Sequence, residues 1–212
     1  KQNGMTIVEG KVTATDTDMK SIITSFKSKG VKAIALTDTP TQTASAASNN
    51  VALGLNVPMV GNNPTFAPAL LATPAAAALS KLTIAASAVP YDSPLAKAKE
   101  LAKAFEKANP SVKPNYGVGF GYAMGVIWGQ TLDKACASKD LTRDGIHTAL
   151  TSLSNLSTDK LVANLDYTKP GSPPSRSVYL MTPDKATPGG LKQIKALSES
   201  ADAKSYKAPK EQ

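Results

Sequence analysis

The sequence has only one cysteine and one histidine, and this scarcity limits its chemistry. Cys136 has no second cysteine with which to form an intramolecular disulfide, and its alanine-rich surroundings predict a buried thiol in a helix. His147 is the single histidine, which argues against a zinc site of the usual ligand types and against a Ser-His-Asp arrangement. We therefore expect no metal, no cofactor and no catalytic residue.

Long apolar runs are also lacking. A membrane-spanning helix needs about 20 consecutive apolar residues, and the 13-residue run 117–129 is interrupted by five glycines. The chain begins at Lys1 without an initiator methionine, a signal sequence or a lipidation site. We expect that an export signal has been removed or lies outside this sequence.

Arginine and aromatic residues are scarce although the formal net charge is +8. Arg143 and Arg176 are the only arginines, the lysines are scattered, and aromatic residues make up 5% of the chain. Nucleic-acid recognition favours clustered arginines and aromatic stacking surfaces, so we expect no nucleic-acid partner. A solvated, lysine-rich surface is the expected explanation of the charge, and attraction to an anionic cell envelope or partner is the alternative.

Glycines in the second half do not form a nucleotide-binding motif. A dinucleotide loop starting at Gly117 would need a third glycine where Tyr122 stands, and no strand is predicted before it. Gly121, Gly125 and Gly129 are spaced four apart, which on a helix gives a face of small residues for close packing. Walker A, nucleophile-elbow and HExxH motifs are absent, so the sequence gives no support for an enzyme.

The first half alternates strand-like and helix-like segments, which predicts a parallel sheet with helices on both faces. Asp16 is a candidate N-cap of the first helix, and Gly30 is expected to end it. The predicted strands are 6–12, 31–36, 57–60 and 82–88; a second predicted helix is 41–53, and 61–64 is a predicted turn.

The pattern changes at Pro90, after which helices follow one another without strands. Helices are predicted at 94–108, at about 119–137 and from about Thr142 onward. Strands return at 161–164 and 177–181, and the tail from Ala196 is polar. Either missing sequence supplies a sheet for these helices, or they form a helical appendage.

Four segments, taken in order, carry a family resemblance that covers most of the chain. They are Thr17-Asp18-Met19 leading to Lys29-Gly30-Val31-Lys32-Ala33-Ile34; Leu53-Gly54-Leu55-Asn56-Val57-Pro58-Met59-Val60-Gly61; Gly121-Tyr122-Ala123; and Leu141-Thr142-Arg143-Asp144-Gly145-Ile146 with Ala149-Leu150. The set resembles the C-terminal portion of leucine/isoleucine/valine-type (type I periplasmic) substrate-binding proteins of ABC transporters.

The resemblance implies an incomplete α/β fold of the type I periplasmic binding protein class, in which two lobes enclose a ligand in the cleft between them. On this template, residues 1–90 belong to the second lobe and residues 91–160 are helices that return to the first. Residues 161–212 are late strands that rejoin the second lobe, followed by a polar tail. The sheet beneath the returning helices would belong to an N-terminal half outside this sequence.

Two loops are candidate ligand contacts because ligands of open α/β sheets lie beyond the carboxyl ends of the strands. The first contains Thr37, Asp38 and Thr39, and the second runs from Asn62 and Asn63 to Phe66. Their hydroxyl, carboxylate and amide groups can orient a small polar ligand, and Phe66 can add apolar surface. The alternative is that they are ordinary N-caps and turn formers.

Amino-acid-binding relatives usually have an acidic residue where this chain has Asn63, so a neutral or carboxylate-bearing ligand is as compatible as an amino acid, although Asp38 can supply the charge instead. Tyr91 and Tyr116 are further candidates, at the cleft or hinge. The alternative for both is ordinary packing with a satisfied hydroxyl.

The resemblance implies an extracytoplasmic solute-binding component of an ABC importer, lipid-anchored in the full-length protein. Its expected partners are a small ligand, such as a branched-chain or other amino acid, an amide or an organic acid, and a membrane permease. A ligand-sensing domain of a receptor or transcription regulator is the alternative. The apolar faces of the returning helices also favour self-association of this fragment.

Overall fold

A computed structural model describes residues 4–208 of the chain. These residues divide into two compact units. Unit 1 comprises residues 4–86 and 180–194, and unit 2 comprises residues 87–179 and 195–208. None of the helices in the described part combines the length and apolar character needed to cross a bilayer.

Unit 1 is built from short strands that alternate with helices, as the sequence predicts. Its elements in chain order are α1 (Lys20–Ser28), β1 (Ile34–Leu36), α2 (Pro40–Ala52), β2 (Met59–Gly61) and β3 (Leu82–Ala86). Three 3-10 segments, Asn63–Thr65, Pro68–Ala72 and Pro74–Lys81, fill the connection from β2 to β3. Pro68 and Pro74, which begin the second and third of these segments, have no backbone N–H to donate, which suits the first position of a helical turn.

The sheet has the strand order β1-β2-β3-β4-β5, where β4 is Val178–Pro183 and β5 is Leu191–Ser198. β1 pairs in parallel with β2, and β2 pairs in parallel with β3. Residues 184–190 join β4 to β5, and the Asp184 N–H donates to the Gly190 carbonyl at 2.9 Å across this connection. Side chains from the central strands are fully buried and form the core of unit 1: Met59, Leu82, Ile84 and Met181.

Positive backbone φ angles end the first two helices. Gly30, directly after the C-cap of α1, has φ +66°, and Gly54, directly after the C-cap of α2, has φ +69°. Glycine adopts this left-handed conformation without a steric penalty from a Cβ atom. The prediction of a helix end at Gly30 is confirmed, as is the strand–helix–strand order from residue 31 to residue 61.

Unit 2 is mainly helical. It contains α3 (Ala96–Ala108), α4 (Gly117–Ala137), α5 (Arg143–Thr151) and α6 (Ala201–Ser205). Its core joins one face of α4 to the residues around two isolated antiparallel bridges, Ala88 with Val162 and Leu156 with Leu165. Within the described residues no strand lies between β3 and β4, which confirms the predicted change of pattern after Pro90.

α4 has two contrasting faces. The face toward the core of unit 2 carries Ala123, Ile127, Thr131 and Ala135. The opposite side exposes a row of large apolar side chains spaced four residues apart, which we call the α4 ridge: Phe120, Met124, Trp128 and Leu132. Cys136 continues this row and is exposed, so the prediction of a buried thiol is wrong.

Two sequence predictions near the N-terminus are also wrong. Residues 6–12 form no strand, because their alternating pattern finds no neighbouring strand with which to exchange hydrogen bonds. Asp16 is not the N-cap of α1, which starts at Lys20 with Met19 in the cap position. The Asp16 carboxylate instead accepts a hydrogen bond from the Thr13 N–H at 2.7 Å, which closes a turn before the helix.

Two later predictions need correction. Residues 161–164 are not a strand: Leu161, Val162 and Ala163 are buried, but the segment takes part in one isolated bridge and no ladder. The polar tail after Ala196 is partly regular, because β5 continues to Ser198 and α6 follows. Residues 192–197 of β5 are exposed and include two lysines, a composition typical of an edge strand.

Candidate functional site

Both predicted ligand-binding loops leave the same edge of the sheet in unit 1. β1 and β2 are parallel neighbours, and their last residues, Leu36 and Gly61, face each other in the ladder. Thr37, Asp38 and Thr39 follow the first of these residues, and Asn62 and Asn63 follow the second. The pairing therefore brings the two loops together at the carboxyl edge of the strands, where open α/β sheets bind ligands.

Thr39 has a clear structural role as the N-cap of α2. Its side chain accepts a hydrogen bond from the Gln42 backbone N–H at 3.4 Å, and its own backbone N–H donates to Gln42 Oε1 at 3.0 Å. This is a reciprocal capping box, with Pro40 at the first helical position. For Thr39 the capping alternative is confirmed, while a ligand contact stays a prediction.

Asp38 carries the only carboxylate of the two loops, and it does not cap α2. The side chain is half-buried, and Thr43 Oγ1 donates to Asp38 Oδ1 at 2.6 Å. Burial raises the pKa of Asp38 above its usual range, and the hydrogen bond from Thr43 partly opposes this rise. A carboxylate has about four acceptor positions, so one bond to Thr43 leaves it able to accept others.

Two buried polar residues of α2, Gln42 and Thr43, support the first loop and were missed as candidates. Gln42 Nε2 donates to the carbonyls of Thr13 and Asp16 at 2.8 and 2.9 Å, while its Oε1 holds Thr39. Gln42 therefore joins the turn before α1 to the loop after β1. The Thr-x-x-Gln spacing of the capping box was the available sequence signal for Gln42.

The second loop is tightly wound. Asn62 is exposed and Asn63 is half-buried, and the buried Thr65 Oγ1 donates back to the Asn62 carbonyl at 2.7 Å. A Cβ atom at Gly61 would overlap the Thr65 side chain, so glycine is required for this close approach. The two asparagines thus present amide groups at the sheet edge on a compact 3-10 turn.

Phe66 does not lie on the surface of this loop. It is 4% exposed, and its ring packs against Gly190 in the core of unit 1. Gly190 has φ +78°, and a Cβ atom there would stand 3.3 Å from the Phe66 ring. Phe66 thus anchors the end of the second loop. Its ring points into the core of unit 1 and not toward the sheet edge, so a contact with a ligand stays a prediction.

Tyr91 and Tyr116 lie in unit 2. The Tyr91 hydroxyl donates to Glu106 Oε1 at 2.9 Å, and its ring meets Phe105 edge to face with centroids 6.4 Å apart. Burial, assisted by the Glu106 carboxylate, raises the pKa of Tyr91 to about 12. For Tyr91 the alternative of a packed ring with a satisfied hydroxyl is confirmed. Tyr116 is half-buried at the start of α4, and burial raises its pKa to about 12.

A hollow beside Tyr91 is too small for a ligand. It lies between the segment 89–91 and the starts of α3 and α4, and it is lined by residues that include Val89, Val118 and Gly119. Its free space is about 10 Å³, which is room for about one water molecule. The hollow is therefore a packing defect of unit 2 and not a substrate pocket.

The two loops together offer one carboxylate, two side-chain amides and several hydroxyls, with no lysine or arginine. Such a set can orient a small polar group through hydrogen bonds, and it favours a ligand that brings N–H or O–H donors. Among residues 4–208, no three side chains of the His, Cys, Asp and Glu types are grouped as a metal site would require.

Comparison with known proteins gives a consistent picture. The family model described as "Periplasmic binding protein" matches residues 1–188. A fatty acid ABC transporter substrate-binding protein from Thermomonospora curvata is 37% identical, with a TM-score of 0.85 over 93% of this chain and 51% of its own. No curated protein matches the sequence.

Two more distant structures share the fold. A branched-chain amino acid ABC transporter protein from Thermus thermophilus with bound valine is 15% identical, with a TM-score of 0.70 over 92% of this chain and 53% of its own. A leucine-binding protein from Thermotoga maritima is 18% identical, with a TM-score of 0.65 over 89% and 50%. The chain thus spans about half the length of these relatives. Its α/β fold and the family match together show that it belongs to the type I periplasmic binding proteins.

Proposed function

We propose that the protein to which this chain belongs is the extracytoplasmic solute-binding component of an ABC importer. The observation that carries the proposal is the meeting of two polar loops, at Asp38 and at Asn62 and Asn63, on the carboxyl edge of β1 and β2. The family match and the transporter-associated relatives support it. In this proposal the protein binds and releases its ligand and catalyses no reaction.

The proposal assigns residues 1–90 and the late strands β4 and β5 to the second lobe and the helices of residues 91–160 to the first. The ligand binds between the lobes, and lobe closure presents the complex to a membrane permease. An export signal and a lipid anchor on the full-length protein belong to the same proposal, because the permease receives its ligand outside the cytoplasm. The positive net charge suits a location beside an anionic envelope.

The proposed ligand is small and polar: a branched-chain or other amino acid, an amide or an organic acid. Asp38 favours an amino or amide group, since it can accept hydrogen bonds from N–H donors and repels a carboxylate. Asn62 and Asn63 can donate to a carboxylate or accept from an amide.

A fatty acid is the second candidate ligand. It is favoured by the 37% identity to a substrate-binding protein of a fatty acid transporter and by Asn63, which stands where amino-acid-binding relatives usually have an acid. A long apolar chain would need a lined channel, and Phe66, the aromatic residue of the second loop, is buried in the core of unit 1. The two polar loops of this chain therefore offer contacts to the carboxyl head group of a fatty acid but none to its apolar chain.

The experiment is a thermal-shift screen of the complete protein with matched ligands: leucine, its amide, 4-methylpentanoate and a series of fatty acids. A bound ligand at concentration L stabilises the native state by RT ln(1 + L/Kd), so Tm rises with the logarithm of ligand concentration once that concentration exceeds Kd. We expect leucine or its amide to raise Tm more than 4-methylpentanoate, which lacks the amino group. Asp38→Asn should remove this preference, and Asp184→Asn, a carboxylate in the connection between β4 and β5, is the control.

A rise in Tm with fatty acids alone would establish the second candidate and overturn the first. No shift with any compound in the panel would contradict solute binding itself.

A further inference from the structure

Charged side chains are divided unevenly between the two ends of the sheet in unit 1. β1, β2 and β3 run in parallel, so their first residues lie at one end, the amino edge, opposite the carboxyl edge of the candidate site. α1 and α2 both end beside the amino edge, because short connections lead from them into β1 and β2. Four exposed lysines lie in the segments that meet there: Lys27, Lys29, Lys32 and Lys81.

The connection from β4 to β5 adds two lysines at this end. Thr182 Oγ1, near the end of β4, donates to the Leu82 carbonyl at 3.3 Å, so the connection leaves the sheet beside the start of β3. Asp184 is the carboxylate of this connection, and its oxygens accept from the Ala186 N–H and the Thr187 hydroxyl. We call the six exposed lysines of the amino edge the basic edge: Lys27, Lys29, Lys32, Lys81, Lys185 and Lys192.

The carboxyl edge has the opposite charge. Asp16 and Asp18 lie in the turn before α1, and Gln42 bonds this turn to the start of α2, next to the loop with Asp38. Lys20, at the start of α1, is the cation of this region. The other charged residues described in unit 1 are near neighbours of opposite sign in the N-terminal segment: Glu9 and Lys11. Acidic groups thus surround the candidate site, and lysines gather at the other end of the same strands.

Local structure accounts for only part of the basic edge. Lys27 Nζ donates to the Leu53 carbonyl at the end of α2, and Lys81 Nζ donates to the Asn56 carbonyl at 2.8 Å. A cation is favourable at such carbonyl ends. The ammonium groups of three others form no hydrogen bond or ion pair with residues 4–208: Lys29, Lys32 and Lys185. Their mutual repulsion has no compensation in the described part of the chain.

The residue type indicates the kind of partner. Every cation of the basic edge is a lysine, a mobile point charge without the fork geometry that arginine offers to a single phosphate or carboxylate. Lysines therefore suit a diffuse negative surface better than one defined anion. Clusters of about four to eight basic residues are attracted to anionic lipid headgroups, and the basic edge has this size.

We propose that the basic edge holds the protein on an anionic lipid bilayer, with the carboxyl edge and its two ligand-binding loops turned away from the lipid. The two edges are opposite ends of the same strands, so a bilayer against one leaves the other open to solution. The same lipid charge repels the acidic carboxyl edge. The inference relies on the location outside the cytoplasm proposed above and adds the surface that contacts the membrane.

The first test is co-sedimentation of the complete protein, produced without a lipid anchor, with two kinds of vesicle. One kind is phosphatidylcholine alone, and the other contains about 30% phosphatidylglycerol. We expect binding to the anionic vesicles only, with an affinity at least about tenfold lower in about 0.5 M salt than in about 0.05 M. Equal binding to both kinds, or binding to neither, would overturn the proposal.

Matched variants test whether the basic edge itself makes the contact. The first variant combines three changes at lysines that form no internal bond: Lys29→Gln, Lys32→Gln and Lys185→Gln. The control removes the same charge from three exposed lysines of α3: Lys99→Gln, Lys103→Gln and Lys107→Gln. We expect the first variant to bind anionic vesicles at least about tenfold more weakly and the control to change binding by about twofold or less. Equal losses would assign the attraction to net charge and overturn the surface.

The orientation is tested with an environment-sensitive dye on single cysteines, after Cys136→Ser. Ser28→Cys lies at the amino edge and Thr37→Cys at the carboxyl edge, and both positions are exposed. We expect anionic vesicles to shift the dye emission at position 28 and not at position 37. An equal or larger shift at position 37 would contradict the proposed orientation.

Two further outcomes separate this inference from its rivals. Retention by a soluble polyanion such as heparin, without binding to anionic vesicles, would assign the basic edge to an acidic polymer and overturn the lipid partner. Failure of every ligand in the thermal-shift screen would contradict the proposed function but would leave vesicle binding unchanged.

Discussion

α2 in unit 1 and α4 in unit 2 both depart from the usual amphipathic helix, in opposite senses. α2 buries polar side chains, among them Gln42, Thr43 and Asn50. α4 exposes large apolar ones, Trp128 above all. A polar group can be buried when it is hydrogen-bonded, but an exposed apolar ridge is stabilised only when it is covered.

The difference lies in where each helix finds its partners. The buried residues of α2 are bonded to the loops around them, and within the described residues no buried side-chain nitrogen or oxygen lacks a hydrogen bond. The ridge of α4 has no comparable cover inside unit 2. The polar groups of α2 are therefore satisfied within unit 1, whereas the α4 ridge stays exposed in the described residues.

The largest expected effect is at Asn50, whose amide replaces a missing backbone partner. Asn50 is fully buried; its Nδ2 donates to the Val57 carbonyl at 2.8 Å and its Oδ1 accepts from the Val57 N–H at 3.2 Å. Asn50→Ala would leave the buried N–H and carbonyl of Val57 without hydrogen-bond partners. It should lower the free energy of unfolding by about 4 kcal/mol in urea denaturation. The matched control is Asn49→Ala, which loses a bond to the Ser45 carbonyl near the surface and should cost about 0.5 kcal/mol.

Neighbouring residues of α4 provide the next prediction. Ile127 is buried in the core of unit 2, so Ile127→Ala should lower the free energy of unfolding of the 212-residue chain by about 3 kcal/mol in urea denaturation. Trp128→Ala should change the same quantity by about 0.5 kcal/mol or less, because the ring is half-exposed there. A comparable loss at both positions would mean that the ridge is covered within the chain itself.

Gln42 tests whether the buried polar side chains of α2 stabilise the fold through their hydrogen bonds. Gln42→Met keeps the length of the side chain but removes the hydrogen bonds to Thr13, Asp16 and Thr39. It should lower the free energy of unfolding by about 2 kcal/mol. Gln130→Met, on the exposed side of α4, is the matched control and should be nearly neutral. Equal stability of the two variants in urea denaturation would show that the Gln42 bonds add nothing to the fold.

Asp38 should give the smallest effect, and it depends on pH. Because its pKa is raised in the folded protein, ionisation of Asp38 opposes folding, and stability is lost as pH rises through the folded pKa. Asp38→Asn removes this loss and retains an acceptor for Thr43. We expect a small gain in urea denaturation at about pH 7 and none at about pH 3, where Asp38 is protonated in both states. A lower stability of Asp38→Asn than of the original protein at about pH 7 would contradict the raised pKa of Asp38.

The strand–helix order of unit 1 was predictable because its apolar runs are bounded by glycines and capping residues. Gly30, Gly54 and the Thr39 capping box act within a few residues of their own position. Strand formation at residues 6–12 and 161–164 was wrongly predicted, since pairing depends on a neighbour that a local pattern does not reveal. The last residues of β5, 196–198, were assigned to a polar tail for the same reason.

The candidate site was predictable in its position more than in its construction. The loops after β1 and β2 follow from the order of the strands, and the structure brings them to one edge. Phe66 is buried because its ring packs against Gly190, more than 120 residues later in the chain, and a local sequence pattern does not reveal such a contact. The Thr-x-x-Gln spacing indicates Gln42, but Thr43 reaches Asp38 only after α2 has formed, so no pattern of residue types singles it out.

The bond between Asn50 and Val57 also bears on the order of folding. It joins residues only seven positions apart, and a loop of this size closes in roughly 10 to 100 ns, well before distant strands meet. The end of α2 and the approach to β2 can therefore be fixed as one local unit early in folding. In a kinetic analysis, Asn50→Ala should slow refolding more than it speeds unfolding, with a φ-value above about 0.5.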